Sequence, residues 1–275
     1  MENLSIITVN LNNLAGLKKT IESVYAQTWK KFEYIIVDGG STDGSKELIE
    51  QLSSRDECSV RYISEPDNGV YQAMNKGIKM ASGEYLLFLN SGDYLVNENV
   101  LETVFSKKHV ADFLIGIEYI SKDDKIVWTM VPPKKITFGY LYNVGLPHQS
   151  TFIKRDTFLK FGFYREDFVY NSDVEYWYRT IIFNVCTTET LNDIISNYNL
   201  DGISTNNAKT AVYQKEKQMI YDNPLLQLFI PDYDEFNREK VDVFLINWIR
   251  KNKILYKGLF FLYKFSNKLH KKWNF

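Results

Sequence analysis

Apolar and polar positions alternate along the first ninety residues in a way that predicts strand and helix in strict succession. Residues 4–9 form a β-branched apolar run, the pattern of a buried strand. Asn10-Leu11-Asn12-Asn13 breaks it, and residues 14–26 then place Leu17, Ile21, Val24 and Tyr25 at helical spacing. A second strand is predicted at 34–37, a turn at Asp38-Gly39-Gly40-Ser41-Thr42-Asp43-Gly44, and a helix at 45–52. Residues 61–64 read as a short third strand, Glu65-Pro66-Asp67-Asn68-Gly69 as a loop, and 70–81 as a helix. The run 85–89, bounded by Gly83 and Gly92, reads as another buried strand that stops abruptly in Asn90-Ser91-Gly92-Asp93. Strands alternating with helices of this length imply parallel pairing and right-handed crossovers, hence an α/β unit with a Rossmann-like, mostly parallel sheet flanked by helices.

Beyond residue 97 the pattern changes. A helix is predicted at 97–107, then strands at 113–120 and 125–131 joined through Ser121-Lys122-Asp123-Asp124, a hairpin signal. Residues 132–147 are aromatic and irregular, 148–153 read as a short strand, and 155–161 as a helix stopped by Gly162. A loop at 164–172 leads into an aromatic helix at 173–183, and 201–204 reads as a turn. The expected organisation is an α/β domain at 1–205, with halves at 1–95 and 96–205, followed by a helical basic extension at 206–275.

Composition narrows the function classes. The chain of 275 residues has a net charge of -1, which hides ten Lys or Arg against two acids between 238 and 275. Phe244, Trp248, Phe260, Phe261 and Tyr263 are interleaved with those lysines, the composition of a basic amphipathic segment in a membrane interface. A helical pair packed on the preceding domain or on a second subunit, as in a homo-oligomer, is the alternative. No nucleic-acid module accompanies the charge, so no nucleic-acid partner is expected. Cys58 and Cys186 have no metal spacing, which fits a reducing compartment. The opening Met1-Glu2-Asn3 shows no signal-peptide pattern, and no apolar run reaches the roughly 18 residues of a spanning helix. A cytoplasmic protein, peripheral on the cytoplasmic membrane face, is predicted.

In a parallel sheet, ligands bind outside the carboxyl ends of the strands, so Asp38, the Asn68 loop and Asp93 all fall on the binding edge. Asp93 could hold a hard cation carrying a phosphate, because Mg2+ and Mn2+ prefer oxygen ligands; it could equally cap a following helix. Asp38 could accept from a base N–H or close an Asx-turn. Asp173 opens its predicted helix, where a carboxylate can also serve as an N-cap. His148 is as consistent with a structural hydrogen bond as with an acceptor or diphosphate contact. Neither a dinucleotide fingerprint nor a P-loop is present, which disfavours a dehydrogenase or an ATPase.

Taken in order, Ser5-Ile6-Ile7-Thr8-Val9 with Asn12, Gln27-Thr28-Trp29, the 34–44 stretch, Glu65 to Tyr71, Ala73-Met74-Asn75-Lys76-Gly77 and Asn90-Ser91-Gly92-Asp93 resemble family 2 glycosyltransferases of the GT-A fold. The likeness continues more loosely at His148-Gln149-Ser150 and Ser172-Asp173. It implies an inverting sugar transfer from a nucleotide-sugar donor, usually with Mg2+ or Mn2+. On the resemblance, Thr8, Val9, Asn12, Asp38, Asn68, Asn75, Asn90 and Ser91 belong to the nucleotide site. Asp93 matches the last acid of the metal motif, Asp173 the general base, and His148 and Gln149 an acceptor or diphosphate contact. Asn90 and Gly92 stand where many members carry further acids. The resemblance favours a UDP-sugar and a lipid-linked or saccharide acceptor in polysaccharide, lipopolysaccharide or capsule assembly. The alternatives are a non-catalytic nucleotide-sugar-binding subunit of a synthase complex and, more remotely, a sugar nucleotidyltransferase.

Overall fold

The fold is that of a computed structural model, which describes residues 4–54, 60–123, 125–200 and 211–251. The chain divides into two compact units, 1–218 and 219–275. In the first, nine strands among the described residues form one sheet, in the order 60–64, 32–38, 4–10, 85–88, 151–154, 113–122, 188–199 and 94–95, with 125–130 paired to 113–122.

Strands β1 (Leu4–Asn10), β2 (Phe32–Asp38), β3 (Val60–Ser64) and β4 (Tyr85–Phe88) are mutually parallel. Their apolar runs arise because helices cover both faces. On one face Leu4, Ile6, Tyr34, Ile36 and Leu87 meet Leu17, Ile21 and Val24 of α1 (Leu14–Tyr25). On the other, Gly77 of α3 (Val70–Met80) lies so close to Ile7 that an added methyl would come within 2.5 Å of its Cγ2. Helix α2 (Ser45–Ser53) links β2 to β3.

The second half of the sheet is mixed. β8 (Thr151–Lys154) runs antiparallel to β4, and β6 (Phe113–Lys122) antiparallel to β8. β9 (Thr188–Asn199), for which the sequence pattern predicts nothing, lies parallel to β6 with two register shifts. Its polar composition conceals it, since only Leu191 and a short stretch around Ile195 are buried. β5 (Tyr94–Leu95) pairs with β9, so Asp93 leads into a strand and caps no helix. The hairpin of β6 and β7 (Lys125–Met130) forms as expected, with Asp123 left-handed at its turn.

Helix α4 (Val100–Phe105) is shorter than predicted, and a short helix α5 (Phe138–Asn143) interrupts the aromatic segment expected to be irregular. Residues 148–150 are a 3-10 turn rather than strand, and α6 spans Arg155–Phe161. The predicted helix at 173–183 is α-helical over α7 (Ser172–Trp177) and continues as a π-helical turn at Tyr178–Ile182. Arg179 fastens that turn: it bonds both Glu175 oxygens and donates to the carbonyls of Phe161, Gly162 and Phe163. Helix α8 (Ala211–Tyr221) follows. The second unit carries α9 (Pro224–Lys251), with Pro231 inside it. The expected turn at 201–204, Cys58 and the end of the basic extension lie outside the described residues. No described helix is long and apolar enough to cross a membrane.

One buried acid locks the N-terminal sheet at the end away from the site. Glu33 accepts from Ser5 Oγ at 2.6 Å, Ser82 Oγ at 2.9 Å and the amides of Ser82 and Gly83, and pairs with Arg61 at 3.1 Å. Burial opposes ionisation of Glu33, but the bonds from Ser5, Ser82 and Arg61 outweigh it and hold the carboxyl below its ordinary 4.5. A depressed folded-state pKa stabilises the native state above the unfolded value and loses that contribution as pH falls through the folded one. Glu33→Gln is therefore expected to cost about 2 kcal/mol in urea unfolding at neutral pH. The gap between variant and wild type should narrow as pH falls below 4.5.

Candidate active site

The carboxyl ends of β1, β2 and β4 are laced together by asparagines. Asn10 Nδ2 donates to Asp38 at 2.8 Å and Ser41 Oγ at 3.2 Å. Asn12, left-handed with φ 49°, donates its amide to Ser41 Oγ and accepts from the Thr42 amide at 2.8 Å. Asn13 Nδ2 reaches the Ser91 carbonyl at 2.9 Å. The turns at 10–13, 38–44 and 90–93 therefore form one edge.

Asp38 is fully buried and fully engaged. Its oxygens accept from Asn10, from Ser41 Oγ at 2.6 Å, from the Ser41 amide at 2.9 Å and from Ser64 Oγ at 2.8 Å. A carboxylate has about four lone-pair sites, so this one is spent on shaping its loop. Burial opposes its charge, yet these bonds hold the carboxyl below the usual range. Thr8 is equally enclosed, its hydroxyl 3.0 Å from Tyr34, and Val9 is buried beside it in β1. Asn68 is exposed, its amide donating to Gln72 Oε1.

Asn75 pins a remote loop. Its side chain donates to the Tyr164 carbonyl and Glu166 and accepts from the Tyr164 amide at 3.1 Å. That segment leads toward Asp173, whose Oδ1 accepts from Tyr71 at 2.9 Å and from the Val174 amide. Asp173 lies inside the first turn of α7, and Asn171 holds the N-cap position. Asp173 Oδ2 accepts no hydrogen bond among the described residues, and the neighbouring Arg179 is committed to Glu175. His148, buried and stacked on Phe88 at 5.3 Å, lies 3.1 Å from the Tyr164 hydroxyl; burial keeps it neutral against the pull of Asp173.

Asp93 faces a second cluster. Gln149 Nε2 donates to it at 3.1 Å and the Asn199 amide at 3.3 Å, and Gly92, at φ 110°, gives the turn its left-handed step. Burial pushes Asp93 up to about 7. Glu118, in the middle of β6, is driven well above the carboxylate range by burial and by Asp93's charge; Ser196 and the Gln149 amide offset only part of this. Asn90 Oδ1 is buried with no partner among the described residues. Among the described residues no group of three or more His, Cys, Asp or Glu could hold a metal ion.

The structure therefore brings His148 and Gln149 between the Asp93 and Asp173 clusters, and joins Asp38 to the 90–93 turn through the asparagines. Sequence reasoning missed Glu118, whose signal was a lone acid within an apolar strand. It also missed Glu216. From α8, Glu216 accepts the amides of Val169, Tyr170 and Asn171 and the Asn171 side chain at 3.1 Å, ordering the chain just before Asp173.

A model of the family described as Glycosyl transferase family 2 matches residues 5–168. This chain belongs to that family. A glycosyltransferase of Mycobacterium tuberculosis is 30% identical to it over 222 residues, 78% of this chain and 82% of the relative. A PGL/p-HBAD biosynthesis glycosyltransferase of Mycobacterium bovis is 28% identical over 197 residues, 71% of this chain and 76% of that protein. Among solved structures, Staphylococcus aureus TarS 1-349 superposes with a TM-score of 0.57 at 19% identity, over 72% of this chain. The glycosyltransferase spans 60% of that TarS chain. The mannosyltransferase PcManGT of Pyrobaculum calidifontis superposes with a TM-score of 0.54 at 15% identity, over 70% of this chain and 56% of its own. The mixed sheet flanked by helices is thus the GT-A arrangement.

Glu216 of the glycosyltransferase lies beyond the matched residues, so its role rests on its bonds alone. Glu216→Gln is expected to cost about 2 kcal/mol of stability. Amide exchange at residues 169–171 should quicken while that of the β1–β4 strands keeps pace only with the global loss.

Proposed function

We propose that the chain transfers a sugar, with inversion, from a nucleotide-sugar donor to a lipid-linked or saccharide acceptor in cell-surface glycan assembly, with Asp173 as the general base. The observation that carries this is the state of the carboxylates: Asp38 is saturated by its own loop, whereas Asp173 is only partly buried and, among the described residues, keeps Oδ2 open. An acid that must take a proton from an attacking hydroxyl needs that open oxygen. A subunit that only binds donor would have no use for it.

The division of labour follows the edge. The 1–95 half binds the nucleotide, with Asp38, Asn10 and Asn12 shaping the 38–44 turn so that its glycine backbone can approach a base. The 96–205 half presents Asp173. Tyr71, 2.9 Å from Asp173 Oδ1 and 2.8 Å from the Tyr170 carbonyl, fixes the carboxylate's rotamer. Neutral His148 contributes shape and a hydrogen bond and no positive charge. As the acceptor oxygen attacks C1 from the face opposite the leaving diphosphate, Asp173 Oδ2 takes its proton.

The donor set at the 90–93 turn fits a hard divalent cation. Asn90 Oδ1 is a buried oxygen without a partner among the described residues, and Asp93 adds a carboxylate that burial leaves short of stabilising charge. Asp93 and Asn90 would hold Mg2+ or Mn2+, the remaining ligands being water and phosphate oxygens; when bound, the ion offsets the charge growing on the diphosphate. A UDP-sugar is favoured because TarS was solved with UDP and with UDP-GlcNAc, and PcManGT supports the metal, having been solved with GDP-Man and Mn2+. The basic aromatic C-terminal extension suits a site at the cytoplasmic membrane face.

Three experiments test these assignments. A thermal-shift panel of nucleotide sugars identifies the donor, since ligands that bind the native state raise its melting temperature. With that donor, Asp173→Asn should lose at least ~100-fold in kcat yet keep its ligand-induced shift; turnover near wild type would remove the base assignment. Mn2+ alone should stabilise the wild type, and Asp93→Asn should abolish that shift. An unchanged shift in the variant would place the ion elsewhere.

A further inference from the structure

The hairpin of β6 and β7 carries a surface to which sugar transfer gives no role. Ile126, Val127 and Trp128 are consecutive on β7 and each is more than half exposed, as is Val131 just beyond the strand. In a regular strand, successive side chains point to opposite faces. Here the register slips, with Ser121 opposite Ile126 and Ile120 opposite Trp128, so Val127 is an extra, bulged residue and the alternation is broken. Among the described strands β7 pairs with β6 alone, and among the described residues nothing covers Ile126, Val127 and Trp128, whereas Met130 at the strand's end is buried. Isolated exposed apolar residues are ordinary, whereas a contiguous patch with a polar rim marks a surface that meets a partner.

The rim indicates which partner. Lys122 and Lys125 face each other at the hairpin end, Lys134 and Lys135 follow Val131, and all four are exposed. Between residues 122 and 135 these four lysines stand against two acids, Asp123 and Asp124. Tryptophan favours the membrane–water boundary, and lysine stems can lie along apolar surface while their ammonium groups reach phosphates. A second copy of the chain fits less well. Adding a strand to the edge of β7 would bring its lysines against those of the partner, and edge lysines discourage such pairing.

We propose that the β6–β7 hairpin is a membrane-contact surface, with Ile126, Val127 and Trp128 entering the interfacial layer of an anionic bilayer. Lys122, Lys125, Lys134 and Lys135 lie at its phosphate groups. This contact is distinct from the basic C-terminal extension. It deepens the reading of a lipid-linked acceptor, because β6 also carries Glu118 and so ties the bilayer to the Asp93 side of the site; the contact itself requires neither donor nor turnover.

The test is co-sedimentation of the full chain with phosphatidylcholine vesicles, with and without about one third phosphatidylglycerol. I126T/W128T keeps β-branched residues in the strand and should leave the melting temperature unchanged. It is expected to weaken binding to anionic vesicles at least ~10-fold. Replacing the four lysines with glutamine should remove the preference for phosphatidylglycerol, at roughly fivefold per charge. Equal binding by I126T/W128T and wild type overturns the proposal, whether the extension carries all the affinity or neither protein binds. So does a dimer, seen by light scattering, that these substitutions dissolve while vesicle binding is unchanged. If hairpin-dependent binding holds while every nucleotide sugar fails to bind or turn over, the transfer reading falls and the membrane surface stands.

Discussion

The arrangement of the site depends on how the first parallel strand ends. Asn10, Asn12 and Asn13 carry amide groups past the last ladder bond of β1 and spend them on the two neighbouring turns. Amides suit this place because each offers both donors and an acceptor, whereas a carboxylate there would repel Asp38. Once these bonds are made, the glycine-bearing turn after β2 and the acid-bearing turn after β4 have fixed positions relative to one another. The apolar strands set the spacing, and the asparagines convert that spacing into a shaped edge.

Much of this half was legible from the pattern of residues. Buried on both faces, β1, β2 and β4 read as continuous apolar runs, and the helices between them keep a clear apolar stripe. The second half was harder because its elements are specified by partners distant in sequence. β9 is a strand because β6 offers it a ladder; Thr188, Glu189 and Asn192 would suit a loop equally well. Helix α5 lay hidden in an aromatic segment, and the turn at Tyr178–Ile182 departs from the helical period that predicted a longer α-helix.

The site residues divide in the same way. Asp38, Asp93 and Asp173 stood out as acids at turns, but a sequence does not show how many of their oxygens are already engaged. Asn75 is the clearest case: it sits within a motif suggestive of ligand binding, while in the fold its side chain holds the backbone of Tyr164 and the Glu166 carboxylate. Glu216 could not be found at all, since nothing local to it mentions the loop 45 to 47 residues upstream that it orders.

Arg179 has a consequence for where this enzyme can move. The end of α6 leaves carbonyls unpaired, as every helix terminus does, and Arg179 satisfies the Phe161 carbonyl together with those of the next two residues from the turn that continues α7. Sliding α7 would strip all three carbonyls of their donor at once. The acid-bearing side is thus an anvil: Asp173 cannot travel along its helix without breaking the hold of Arg179 on the chain after α6.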